Sequence, residues 1–416
     1  MITLQNEWIK LCLNEKGALT RLENLKGGCG NVIAAPAEGL FRAVFQNGEN
    51  WEDVAFANAQ DYDIQASGDA ATLTVKGLRT RDALHDVTLT MRVALEGERV
   101  RFTGSIDSRT DATLNDFFSP CVGKLKPLGR GKRDLLLPEQ AGRRYTNICD
   151  RVAVDETQNG VSVMSIAYPG MASMSFMMLE DGDQCLYLGS HDALFHAASM
   201  SVAGSEEADI SLEMDRMVFV KKGEHFELPE GVLMLYQGDW RKGADVYAQW
   251  AKTWRKVPES PDWMRDMTGY FLVINKQQYG DELWPYETLP ELYDLAKAHG
   301  CDTLGLFGWY HTGHDNQYPD LDASPTMGGA DALRAQIKAV QAEGGHVTLY
   351  YQGHLMDTGS PYYKAVGHRL EGKTRWNTPY LEEYSKYHKS EYLRRYSKKL
   401  FATVCPSCTE WHGLMA

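Results

Sequence analysis

Residues 86–107 read DVTLTMRVALEGERVRFTGSID. Val87, Leu89, Met91, Val93 and Leu95 fall on one face of an extended chain. Glu96-Gly97-Glu98 turns it, and Val100, Phe102 and Ile106 resume on one face. A period of two with polar residues between predicts antiparallel strands that bury one side. Similar runs lie at ATLTVKGL, CLYLGSH, ISLEMDRMVFV and HFELPEGVLMLYQG, and WIKLCLNEKGALTRLENL reads as a hairpin. Many strands divided by turns, with little helical signal over residues 1–238, predict an antiparallel β-sandwich domain.

The period changes at Asp239. In DWRKGADVYAQWAKTW, Trp240, Ala244, Tyr247, Ala251 and Trp254 recur at three- and four-residue steps, and Asp239 suits an N-cap. A linker helix is expected within 239–267, which Pro258 and Pro261 then break. Beyond Pro261 strands and helices alternate. TGYFLVIN, CDTLGLFGW and HVTLYYQ read as strands buried on both faces. LPELYDLAKAHG and GGADALRAQIKAVQAEGG read as helices ended by Gly300 and Gly344-Gly345. This is the pattern of β/α units with parallel strands. No Gly-x-Gly-x-x-Gly follows a strand, which disfavours a dinucleotide fold. A (β/α)8 TIM barrel fits better but needs about 200 residues. About 150 follow Pro261, so 268–416 is expected to be the first part of a barrel. It holds about three β/α units and an insertion at 358–399.

Bulk composition excludes several classes. Of the 416 residues, 43 are Lys or Arg and 56 are Asp or Glu, a formal charge of −13. That balance disfavours nucleic acid and anionic membrane as partners. The N-terminus lacks a basic segment followed by an apolar one, and no apolar run approaches the roughly 18 residues of a membrane span. Cysteines at 12, 29, 121, 149, 185, 301, 405 and 408 make no secreted disulfide framework, so a cytoplasmic setting is expected.

Chemistry in a β/α barrel sits where strands end. The first strand ends at Asn275-Lys276. The second runs into GWYHTGHDNQYPDLD, which supplies Trp309, Tyr310, His311, His314, Asp315, Tyr318, Asp320 and Asp322. The third ends YYQGHLMD and supplies Tyr350, Tyr351, Gln352, His354 and Asp357. Fifteen of the 21 tyrosines lie from Tyr270 onward. Flat rings stack on the apolar face of a pyranose while Asp, His and Gln bind its hydroxyls, so a carbohydrate substrate is expected. Aromatic rings also fill cores. His311-x-x-His314-Asp315 offers imidazole and carboxylate suited to zinc or iron, but it lacks a third ligand at a recognisable interval. No metal or other cofactor is expected. Cys405-x-x-Cys408 has the spacing of a redox pair, yet no thioredoxin-like arrangement precedes it. The expected picture is an extended segment, LFATVCP, followed by a helix capped by Thr409.

Several stretches carry a resemblance. They are YPGMASMSFMMLEDGDQCLYLGSHD, GDWRKGADVYAQWA, WYHTGHDNQYPD, GGADALRAQIKAVQAEGGHVTLYY and VCPSCTEW. Together they resemble an uncharacterised bacterial domain-of-unknown-function family. That family is similar to the α-galactosidases (melibiases) and endo-α-N-acetylgalactosaminidases. The resemblance implies a galactose-mutarotase-like supersandwich at the N-terminus and a retaining α-glycosidase barrel. Retention needs two carboxyl groups roughly 5 Å apart. In the relatives the nucleophile ends strand four and the acid/base ends strand six, so both are expected after Ala416 and the chain reads as the N-terminal part of a longer enzyme. Trp309, His314 and Asp315 match positions that bind sugar hydroxyls. The substrate would be an α-galactoside or α-N-acetylgalactosaminide. Two alternatives stay open: a non-catalytic carbohydrate-binding protein with a degenerate barrel, and a metal-dependent hydrolase using His311, His314 and Asp315.

Overall fold

A computed structural model describes residues 1–48, 50–55, 58–152, 162–204, 209–267, 269–374, 378–385, 398–405 and 408–416. The chain forms two compact units, Met1–Val257 and Pro258–Ala416.

The first unit is antiparallel β-structure. Its nine-stranded sheet runs, edge to edge, through Arg143–Tyr145, Asp134–Leu137, Phe176–Asp181, Gln184–His191, His225–Gln237, Arg99–Ser108, Leu84–Glu96, Ala70–Arg79 and Ala59–Ser67. A six-stranded sheet runs through Val163–Tyr168, Ala198–Gly204, Ile210–Val220, Thr113–Leu125, Arg42–Asn47 and Asn50–Ala55. A three-stranded sheet over Ile2–Asn24 completes the unit. One apolar cluster contains Leu89, Val93 and Leu233 of the larger sheet with Phe45, Phe117 and Leu212 of the smaller. Shared burial of two inner faces is what defines a sandwich.

The strands Leu84–Glu96 and Arg99–Ser108 pair as the alternation predicts, Leu89 opposite Ile106 and Leu95 opposite Val100. The apolar series breaks at Gly104 for a local reason. A Cβ there would lie 2.2 Å from the Thr90 carbonyl oxygen, so only glycine lets the strands approach.

Helix α1 (Trp240–Trp254) begins at Asp239, whose carboxylate accepts the Arg241 N–H at 2.8 Å. Its buried face is Gly243, Val246 and Tyr247, whereas Trp240 is 37% exposed. The stripe expected from 240, 244, 247, 251 and 254 is therefore rotated. Gly243 sets the rotation: it sits against the sheet, where a Cβ would fall 2.4 Å from Met178 Sδ and 2.8 Å from the Tyr236 hydroxyl.

After a short helix at Asp262–Asp266, the second unit runs through β1 (Phe271–Ile274), α2 (Leu289–Ala298), β2 (Thr303–Phe307), α3 (Gly329–Ala342) and β3 (His346–Leu349). The three strands are parallel, in the order β1-β2-β3. Val273, Leu306 and Leu349 share a face with Phe271, Leu304 and Val347, and they pack in one cluster with Leu289, Leu292, Tyr293, Leu333 and Val340 of the helices. The helices end where glycine was expected: Gly300 and Gly344 have φ of 78° and 83°.

Burial on both faces holds for β2 but not for its neighbours. Leu272 is 48% exposed and Thr348 is exposed. Among the described residues only the central strand is paired on both sides, so β1 and β3 are half-buried. The chain then continues through β4 (Leu355–Asp357), α4 (Pro361–Ala365), β5 (Leu381–Ser385), β6 (Lys398–Thr403) and α5 (Thr409–Met415). Strands β4, β6 and β5 form a small antiparallel sheet. Of the expected insertion 358–399, residues 375–377 and 386–397 lie outside the described residues, as do Pro406 and Ser407. The expected cap at Thr409 is displaced by one residue. Cys408 holds the N-cap position with no side-chain bond, and Thr409 is already helical. Among the described residues no helix is long and apolar enough to cross a membrane.

Candidate functional site

Three segments follow the carboxyl ends of β1, β2 and β3. The first two are pressed together by glycines with positive φ. A Cβ on Gly308 would lie 2.1 Å from the Lys276 carbonyl oxygen, and one on Gly313 would lie 2.2 Å from that of Gln277. Backbone approach this close excludes any larger residue. The His314 N–H donates to Lys276 O at 3.0 Å. Asn316, buried, donates from Nδ2 to the carbonyls of Gln278, Thr312 and His314.

Within this frame Asp315 and Gln317 adopt left-handed backbone, with φ of 52° and 56°. Such conformations are uncommon outside glycine and persist where surroundings hold them. Two bonds hold these. The Asp315 N–H donates to the Tyr310 hydroxyl at 3.1 Å, and the Gln317 N–H donates to Asp357 Oδ2 at 2.6 Å.

The conformation aims the Asp315 carboxylate into a polar network. Its Oδ1 accepts from the Tyr318 hydroxyl at 2.7 Å, and its Oδ2 accepts from Gln278 Nε2 at 2.9 Å. His314 Nε2 lies 3.4 Å from Oδ2. The Tyr310 hydroxyl donates in turn to that of Tyr318. A carboxylate offers about four lone-pair sites. With three protein neighbours and 19% of its side chain exposed, Asp315 retains capacity for a donor from solution. Burial pushes the His314 imidazole below its ordinary pKa, against the opposing pull of Asp315, so the ring is neutral at pH 7. Its Nδ1 is buried and has no hydrogen-bond partner among the described residues. Burial first, then Tyr310 and Asp315, raises the Tyr318 phenol far above its ordinary range. It stays a donor at every physiological pH.

Aromatic rings flank this network. Trp309 is buried, and its Nε1–H donates to the Tyr350 carbonyl at 3.1 Å. The Tyr350 ring stacks on Phe307 at 4.3 Å and meets His314 edge-on at 5.6 Å. Tyr351, 52% exposed, contacts Trp309 edge-on at 5.4 Å. Gln352 Nε2 donates to the Tyr350 hydroxyl at 3.2 Å.

The structure thus brings Trp309, His314, Asp315, Tyr318, Tyr351 and Gln352 into one connected cluster. The other candidates stand apart. His311 is exposed, and its main-chain N–H pairs with Asp322 O. His354 is exposed, and its carbonyl accepts from Val404 N–H. Asp320 Oδ2 accepts the Tyr362 N–H at the start of α4. Asp357 is 3% exposed and holds the Gln317 and Gly359 N–H groups. Among the described residues, no three His, Cys, Asp or Glu side chains gather as a metal set. Gln278 was not anticipated. It lies on the first loop, carries no local signal, and becomes part of the site only because Gly308 and Gly313 let the two loops touch.

Comparison with known proteins agrees with this architecture. Residues 227–416 match the profile of a family described as "Domain of unknown function (DUF6259)". The fold is similar to that of the α-N-acetylgalactosaminidase NagBb from Bifidobacterium bifidum in its GalNAc complex. The TM-score is 0.65 at 11% identity, over 97% of this chain and 65% of that one. It is also similar to the GH36 α-galactosidases AgaA and AgaB from Geobacillus stearothermophilus. For AgaA the TM-score is 0.51 at 12% identity, covering 100% and 62% of the two chains. For AgaB it is 0.52 at 12% identity, covering 99% and 62%. The chain therefore spans less than two thirds of the length of each. No functionally curated protein matches the sequence. The expected resemblance, an uncharacterised domain family akin to these glycoside hydrolases, is met.

Proposed function

We propose that this chain, which carries a DUF6259 domain and shares its fold with α-galactosidases and an α-N-acetylgalactosaminidase, belongs to a glycoside hydrolase system. On this reading it binds a terminal α-galactoside or α-N-acetylgalactosaminide at the ends of β1–β3. Those strands are the opening of a (β/α)8 barrel, and the N-terminal unit is a galactose-mutarotase-like supersandwich. The observation that carries the reading is the Asp315 carboxylate. It is fixed by Tyr318 and Gln278, has one acceptor site to spare, and is linked through Tyr310, which takes the Asp315 N–H, to the Trp309 ring and through that ring to Tyr351. A carboxylate among aromatic faces suits a ligand with hydroxyl edges and an apolar CH face.

Trp309, His314 and Asp315 position the sugar. They do not cleave the bond. Retaining hydrolysis needs a carboxyl pair about 5 Å apart. On this reading the nucleophile and the acid/base come from strands other than β1–β3. Asp320 and Asp357 are occupied by main-chain N–H groups and are assigned no such role.

Titration calorimetry with galactose and N-acetylgalactosamine tests the proposal. The wild-type chain binds one of them, and Asp315→Ala, folded by circular dichroism, loses at least tenfold in affinity, about 1.4 kcal/mol. Equal affinity in the two proteins would remove Asp315 from the site. Binding without hydrolysis by a chain extended past Ala416 would favour the non-catalytic alternative.

A further inference from the structure

We infer that the sandwich unit carries an open cleft that binds an uncharged oligosaccharide, between helix α1, the turn at Glu96–Arg99 and Trp8. The cleft lies wholly within the first unit and does not rest on the reading of Asp315.

Its volume is about 580 Å³, within the roughly 300–1,000 Å³ of small-molecule sites. Three segments build it. Lys242, Asp245, Val246 and Gln249 recur at three- and four-residue steps, so α1 presents one stripe to the cleft. The turn between the strands Leu84–Glu96 and Arg99–Ser108 supplies a second wall. Lys242 Nζ meets Glu98 Oε2 at 2.6 Å and ties that turn to the helix. Asn6 ties in the third segment. Its Nδ2 donates to the Gly97 carbonyl at 2.8 Å, and its Oδ1 accepts the Trp8 N–H at 2.8 Å. Met234 and Val246, both buried, give the cleft an apolar floor.

Two of the acids that line the cleft are already engaged, Glu98 by Lys242 and Glu96 by Arg101 at 2.7 Å. Arg99, Asp245 and Gln249 are not. Among the described residues none of these three side chains has a hydrogen-bond or ion-pair partner, and Arg99 and Asp245 do not pair with each other although they line one cleft. Arg99 is half-buried. Its charge reaches inward: after burial itself, Arg99 does most to hold the His191 imidazole down at about 3. A guanidinium only donates, a carboxylate accepts and an amide does both. The unengaged charges are one of each sign, so the cleft favours a ligand rich in donors and acceptors but without net charge. Trp8 adds an aromatic surface. The Lys26 ammonium lies 3.5 Å from its ring centroid, yet Lys26 does not line the cleft, so the ring surface turned to the cleft is not the one Lys26 covers. Apolar CH faces with hydroxyl edges, as in a pyranose, match a ring and an apolar floor set among such groups.

A zwitterionic peptide also offers one charge of each sign. Asp245 is exposed, and exposed ion pairs contribute little. The Gln249 amide and the Trp8 ring select for hydroxyls and CH faces, and they favour the sugar.

The test is fluorine nuclear magnetic resonance of the 416-residue chain labelled with 5-fluorotryptophan, the Trp8 signal being identified by its loss in Trp8→Phe. Lactose, cellobiose and maltose are each titrated to about 50 mM, well above a millimolar dissociation constant. At least one of them should move the Trp8 signal saturably. Arg99→Gln and Asp245→Asn, both folded by circular dichroism, should weaken that sugar roughly fivefold or more, as loss of a hydrogen bond predicts. The shift should persist in Asp315→Ala, which separates this cleft from any site in the second unit. No saturable shift with any of the three sugars, unchanged affinity in Arg99→Gln and Asp245→Asn, loss of the shift in Asp315→Ala, or saturation by alanyl-alanine and not by sugar would each overturn the inference.

Discussion

The Tyr318 hydroxyl donates a 2.7 Å hydrogen bond to Asp315 Oδ1, from a ring that is 1% exposed to a carboxylate at the rim of the β2 loop. The same hydroxyl accepts from Tyr310. Three residues thus form a relay that runs from the core of the second unit to its surface, and core packing sets where the carboxylate points.

Removing that hydroxyl tests the coupling. Tyr318→Phe keeps the ring and loses a bond to a charged group, which typically contributes about 1.5–3 kcal/mol. Urea unfolding should register a loss of about that size. If the sugar reading holds, affinity falls as well, although Tyr318 itself is buried. Unchanged stability would mean that Asp315 finds a replacement donor, such as water.

Asp357 makes a second prediction. Its carboxylate holds Gln317 in left-handed backbone and closes the turn at Gly359. Asp357→Ala leaves both N–H groups without their acceptor at a buried site. We expect a loss of about 3 kcal/mol in chemical denaturation. Because Gln317 is two residues from Asp315, nuclear magnetic resonance shifts of Asp315 should move in the same variant. A purely local change around Gly359 would contradict the clamp.

Gly308 combines a φ of 58° with a neighbour that cannot yield. Its missing Cβ would meet the Lys276 carbonyl, a backbone atom. Gly308→Ala therefore separates the first two loops and parts Gln278 from Asp315. Strain of this kind costs about 1–3 kcal/mol. A melting temperature equal to wild type would show that the loops are not tightly apposed.

A pH dependence is expected from the sandwich unit. Asp215 is buried, and burial, then Asp116, raises its carboxyl to about 7, against Arg42 and Arg216, with Glu213 adding to the rise. The ordinary carboxyl is ionised above about pH 4 in the unfolded chain. Between about pH 4 and 7 the folded state therefore binds a proton that the unfolded state has released. Stability falls as pH rises through that window and levels off above it. The penalty above pH 7 is up to about 4 kcal/mol. Asp215→Asn, neutral at every pH, should flatten this part of the profile and be more stable than wild type at pH 8. Parallel profiles for the two proteins would remove Asp215 as the source.

Much of this molecule was legible from local pattern. Alternation at 87–95 predicted one buried face, because successive side chains of a strand point to opposite sides. The β/α order after Pro261 and the glycine ends of α2 and α3 followed from periodicity and from the left-handed residue a helix end favours. The aromatic and acidic stretch after β2 stood out as a candidate because its residue types differ from those of an ordinary solvated loop, and several of them meet in one cluster.

What the sequence could not display is which of those residues meet. Asp315 and Asp357 look alike in the chain, yet one faces a hydroxyl network at the rim and the other is consumed by Gln317 and Gly359. Gln278 carries no signal and completes the cluster. The face of α1 was misplaced because Gly243, which lies outside the expected stripe, is where the helix presses against Met178 and Tyr236 of the sheet. Elements were determined by the sequence, since periodicity and caps act within a few residues of the backbone. The site was decided by the tertiary structure, since hydrogen bonds between residues tens of positions apart exist only after glycine contacts have brought the loops together.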